Sequence, residues 1–149
     1  MNDFTHDNSV LRICVDSVNN YAASGRVFSR RLVEPVEFTD LSSLFLRLEQ
    51  LFDRHNFPQA FQRTRVIVRD TLWQDDAAAD DISGGMSEEM VSAQRGAMST
   101  FDIRVISRRN ATWQGSIDWL DGSARQEFSG TLELLHMVVA RIAGPSENP

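Results

Sequence analysis

Lysine is missing from this chain altogether, and cysteine occurs once, at Cys14. All fifteen cationic side chains are arginines, so every positive charge is a planar guanidinium able to donate two parallel hydrogen bonds. A single cysteine leaves no internal disulfide and no cysteine-rich zinc site. A reducing, cytoplasmic setting is the expectation. Long hydrophobic runs are missing too. The longest apolar stretch, around LELLHMVVARIA, is interrupted by Glu133, His136 and Arg141. It falls short of the roughly 20 residues a membrane helix needs, so no membrane partner is expected. The opening residues MNDFTHDNSV carry neither the basic nor the apolar region of a signal peptide. Asn110-Ala111-Thr112 fits a glycosylation sequon, which has little weight without secretion.

The reactive motifs are missing as well. There is no GxGxxG, P-loop, HExxH or GxSxG pattern. His6, His55 and His136 do not have metal-ligand spacing. No catalytic residue, metal site or cofactor is therefore expected. Whether the protein is an enzyme stays open, with the balance against it.

What is present is an ordinary globular composition of 149 residues, 42 % hydrophobic and 24 % charged, enough for one domain with a single core. The net charge of −6 has a local origin. Six acids, Asp75, Asp76, Asp80, Asp81, Glu88 and Glu89, lie within QDDAAADDISGGMSEEMVSAQ. The other fifteen acids balance the fifteen arginines. That stretch is rich in Asp, Ala, Ser and Gly and short of apolar mass, so residues about 74–98 are expected to form a mobile loop, and deletion of 75–89 is expected to cost little stability.

Sliding the chain against itself reveals a second feature. At an offset of 90, residues 11–52 align with 101–142 without a gap. Ile13 falls on Ile103, Val15 on Val105, Ser17 on Ser107, Asn20 on Asn110, Gly25 on Gly115, Glu37 on Glu127, Phe38 on Phe128 and Leu44 on Leu134. The reading is an internal duplication, with chance similarity of two β-β-α stretches as the alternative. Each copy begins with an alternating strand, Leu11, Ile13, Val15 or Phe101, Ile103, Val105. A second strand, a hairpin and a short third strand follow. Then comes a helix, with Thr39, Asp40 or Ser129 as candidate caps. Asp121-Gly122 suggests a type I′ turn. The expected fold class is α+β: two β-β-β-α units of about 11–56 and 100–143, building one or two antiparallel sheets with both helices on one face and a pseudo-twofold axis. An Arg-rich strand at about 62–69 lies between them.

Parity sorts the tryptophans of RRNATWQGSIDWLDG. Trp113, Gly115, Ile117 and Trp119 share one strand face, the aliphatic one, so both rings are expected in the core. Arg108, Arg109 and Asn110, at the preceding turn, are expected to be solvated and are kept as candidate binding residues. Arg63, Arg65 and Arg69 share a face of QRTRVIVRD and could form an anion-binding ridge; a solvated face with local ion pairs is the plainer alternative. Glu37 and Glu127 are equivalent carboxylates that, with Trp113, could line a pocket between the halves. Capping or pairing with arginine is the plainer role for each. Cys14, aligned with Arg104, is expected to be partly exposed.

The words NFPQAF, RRNATWQGSIDWLDG and FSGTLELLHMVVARI resemble a family of small uncharacterised proteins of clostridia and related gut bacteria, over nearly the whole chain. The resemblance implies a bacterial, cytosolic setting and no activity. The function expected from the residues is a non-catalytic binding or adaptor module with a protein partner, a homodimer being left open. The alternatives are association with nucleic acid or another polyanion through the arginine ridge, which the overall acidity disfavours, and a small-ligand binder or enzyme with a pocket between the halves.

Overall fold

Six strands pair into one antiparallel sheet, and three α-helices accompany it, in a computed structural model that describes residues 4–20, 22–60 and 77–143. The strands are β1 (Leu11–Asn19), β2 (Ala22–Phe28), β3 (Val36–Phe38), β4 (Ser99–Ser107), β5 (Gln114–Asp118) and β6 (Gln126–Phe128). The helices are α1 (Leu41–His55), α2 (Glu88–Ser92) and α3 (Thr131–Ala143). The order across the sheet is β3-β2-β1-β4-β5-β6. The class is α+β, as the alternating and helical periodicities imply.

The strand registers repeat at the offset found in the sequence. Gly25 pairs with Phe38 and Arg26 with Glu37; Gly115 pairs with Phe128 and Ser116 with Glu127. Val15 opposes Gly25, and Val105 opposes Gly115. Each first strand is irregular at the next step, between Val15 and Ser17 or between Val105 and Ser107. Asn20 and Asn110 both take the left-handed conformation, at φ 54° and 59°, which asparagine tolerates better than most residues. Gly25 and Gly115 share one close approach. A Cβ on either would stand 1.9 Å from a carbonyl oxygen of the neighbouring strand, Cys14 or Arg104. In the centre, Leu11 pairs with Ile103, Ile13 with Phe101 and Arg12 with Asp102. Adding 90 to one partner and subtracting it from the other returns the same pairs.

Helix α1 starts where Asp40 accepts a hydrogen bond from the Ser43 amide at 2.7 Å, and it ends at Asn56 in the left-handed conformation. Before α3, the Thr112 hydroxyl accepts from the Thr131 amide at 2.6 Å, while the Ser129 amide donates to Glu133. Leu44, Leu48, Leu51 and Phe52 of α1 and Leu134 and Val138 of α3 join one hydrophobic cluster with Ile13, Val15, Val27, Ile103 and Ile117.

Two expectations are corrected here. The link from β5 to β6 spans residues 119–125, and only Gly122 of the Asp121-Gly122 pair has positive φ, so no two-residue type I′ hairpin forms. More important, residues 77–98 do not lack the means to pack. Ala77, Ala78, Met86 and Val91 are buried within the hydrophobic cluster. Backbone hydrogen bonds run from Val33 to Ala77, from Ala79 to Arg31, from Met86 to Leu32 and from Met98 to Val15. Two alanines, one methionine and one valine suffice because the segment lies against an existing sheet rather than forming a core of its own. The sheet is covered there, so β1 is buried on both faces from Leu11 to Val15. Cys14, expected at partial exposure, is fully buried.

Candidate ligand-binding site

The predicted site residues are distributed as follows. Arg63, Arg65 and Arg69 lie outside the described residues. Glu37 sits on β3 and Glu127 on β6, the two outer edges of the sheet. Five inter-strand steps separate them, about 24 Å. The pocket expected from Glu37, Glu127 and Trp113 is therefore not assembled, because β3 and β6 are the two edge strands of the sheet.

Trp113 and Trp119 are buried, at 3 % and 5 % exposure, as parity predicts. The Trp113 indole donates to Glu49 Oε1 at 2.6 Å and meets the rings of Phe45 and Phe52, so a residue of the second half is seated on α1 of the first. The equivalent small residues, Ala23 and Ser29, are buried as well.

Arg108 is not solvated. It is 3 % exposed, pairs with Asp53 at 2.8 Å and Glu49 at 3.1 Å, and donates to the carbonyl of Pro58 at 2.7 Å. It ties β4 to the far end of α1. Arg109 and Asn110 are exposed beside it. Arg108 thus belongs to the interior frame, with Trp113.

Cys14 and His55 are enclosed. Burial raises the Cys14 thiol pKa above its ordinary value. His55 accepts from Arg31 Nε at 3.1 Å through Nδ1 and lies 2.8 Å from the carbonyl of Ala79 through Nε2, which fixes the Nε2–H tautomer. Burial, reinforced by the Arg31 charge, pushes its pKa down to about 4. Arg31 is itself buried against the rings of Phe4, Phe52 and Phe57, and burial brings it down to about 9. Among the described residues no group of three or more His, Cys, Asp or Glu is placed to hold a metal ion. No described helix is long and apolar enough to cross a membrane.

A cavity of about 420 Å³ lies on the sheet beside the central pair, walled by the N-terminal turn, β1, β4 and α2. Thr5, Asp7 and Asn8 form one side, Glu88, Val91 and Ser92 another, and Arg12, Asp102 and Arg104 the floor, with Arg30 at the margin. Arg12 is saturated: it pairs with Asp102 at 2.6 Å and donates to the carbonyls of Ser92 and Gln94. Arg104 uses one nitrogen for Asp7 and the carbonyl of His6. The Nε of Arg30 is buried and meets no acceptor among the described residues. An unsatisfied buried donor costs about 1–3 kcal/mol, so this position favours an incoming acceptor.

Comparison with protein-family models, curated proteins and solved structures finds no match. Sequence reasoning missed Arg12, Arg30 and Arg104. One signal was available: Arg12 and Asp102 are opposite charges separated by 90, the repeat offset, so they meet where the two halves pair.

Proposed function

We propose that the protein is a non-catalytic binding module, cytoplasmic in setting, that receives a carboxylate of a partner polypeptide in the Arg30–Arg104 cavity. The observation that carries this reading is the buried Nε of Arg30, which meets no acceptor among the described residues, on a side chain that lines a cavity of about 420 Å³. Guanidinium groups bind carboxylates bidentately, which supplies both energy and orientation. Arg12, Arg30 and Arg104 are matched by Asp7, Glu88 and Asp102 in the same walls. The local charge is close to zero, which suits a single carboxylate and not a polyanion. That balance places nucleic acid second.

The test is calorimetric titration of the full chain with a capped glutamate-rich hexapeptide, with inorganic phosphate in parallel. The peptide should bind, and Arg30→Ala should weaken it at least tenfold while leaving the melting temperature within a degree or two. A charged hydrogen bond contributes about 1.5–3 kcal/mol, which is the basis of that factor. No peptide binding, or equal binding by wild type and Arg30→Ala, overturns the reading. Phosphate bound more tightly than the peptide would also reject the choice of a carboxylate.

A further inference from the structure

The N-terminal turn that walls the arginine cavity is held in place from several sides. The ring of Phe4 is buried against His55, with centroids 4.4 Å apart, and against the Arg31 guanidinium at 5.7 Å. The His6 ring lies 5.0 Å from that of Phe57. The Thr5 amide donates to the Asn8 side chain at 2.7 Å, which closes the turn locally, and Ser9 is buried just before β1.

Asp7 belongs to this turn and lines the cavity with Arg104. Arg104 Nη1 donates to Asp7 Oδ1 at 3.1 Å and to the carbonyl of His6 at 3.3 Å. The two acceptors differ in kind. The His6 carbonyl is backbone and stays where the anchored turn puts it. The Asp7 side chain is 95 % exposed, so its carboxylate can leave Arg104 by rotating into water with no burial lost. Of the three acids in the cavity walls, Asp7, Glu88 and Asp102, Asp7 alone is paired with Arg104 among the described residues. Asp102 has no such freedom, because both of its oxygens accept from the buried Arg12.

We propose, resting on the carboxylate reading of this cavity, that Asp7 is a tethered competitor: its carboxylate occupies Arg104 until a partner's carboxylate displaces it. The pair is exposed on its acidic side, and exposed ion pairs are weak, so displacement is easy. A carboxylate on a short tether nonetheless has a local concentration of about millimolar or more. Free small anions below that level lose the competition, whereas a polypeptide that makes further contacts with the cavity wins it. Asp7 therefore selects partners by what they offer besides one negative charge.

The test compares wild type, Asp7→Asn and Glu37→Gln by calorimetric titration of the full chain with the capped glutamate-rich hexapeptide. Asp7→Asn removes the charge and keeps the shape of the side chain. Glu37→Gln removes the same charge on the edge strand β3, three strand steps from β4. Asp7→Asn should bind the peptide about two- to fivefold tighter than wild type, the size expected of an exposed ion pair, with the melting temperature within a degree or two. Glu37→Gln should bind as wild type does. Binding that depends on Arg30 but is no tighter in Asp7→Asn, or that rises as much in Glu37→Gln, overturns the competitor and leaves the carboxylate reading standing. No binding by either wild type or Asp7→Asn rejects both.

Discussion

His55 is held neutral inside a cationic neighbourhood. Arg31 and Arg54 disfavour its protonation, and the bond to Ala79 together with Asp80 only partly offsets burial and those charges. The sign of the consequence follows from proton counts. The unfolded imidazole titrates near 6.5 and the folded one near 4, so between those values the unfolded state binds more protons. Stability is complete above about pH 6.5 and falls as the pH drops towards 4. The loss from this group should approach roughly 3 kcal/mol. Urea unfolding at pH 7.0 and 4.5, compared between wild type and His55→Asn, should show a smaller pH dependence in the variant. Equal slopes would remove His55 as the cause. None of this was visible in the sequence, where His55 reads as a histidine near a helix end. The partners that matter, Arg31 and Ala79, are each 24 residues away.

At the scale of an element, residues 77–98 changed most between sequence and structure. Acidic composition suggests solvation, yet the acids have structural uses. Asp81 accepts from the Ser83 amide at 3.0 Å, and Asp80 pairs with Arg54. Two of its larger apolar side chains go inward: Met86 is 6 % exposed and Val91 8 %, while Met90 and Met98 stay exposed. Met86→Ala should therefore cost about 2–5 kcal/mol, the usual range for a buried methionine. Met90→Ala, at a half-exposed position of α2, should stay within about 0.5 kcal/mol. Chemical denaturation of both variants checks this. If both are neutral, the segment contributes nothing to the core. Removing the whole stretch should now cost stability, contrary to what its composition alone suggests.

For the whole molecule, the strand order makes a kinetic prediction. β1 and β4 are central, and each is hydrogen-bonded on both sides. β3 and β6 are three-residue edges. Native-state hydrogen exchange should be slowest at Ile13 and Ile103 and faster by orders of magnitude along β3 and β6, because central strands open only with global unfolding. Edge amides as slow as the centre would mean that a second copy covers an edge, the homodimer left open by the sequence.

What the sequence determined by itself is what alternation and local periodicity control. Trp113 and Trp119 share the face of Ile117, Asn20 and Asn110 turn the chain at the same point, and residues 90 apart take equivalent registers. These depend on neighbours one to four positions away. Tertiary structure decided the rest. Arg108 left solvent because Glu49 and Asp53, on α1 and more than fifty residues away, meet it there. Cys14 lost its exposure because residues 77–98 cover the second face of β1. Glu37 and Glu127 align at the offset of 90 yet lie about 24 Å apart, because the strand order puts β3 and β6 at opposite edges. Burial depends on which segment covers a face. That choice is made by contacts between residues far apart along the chain, and local pattern does not encode it.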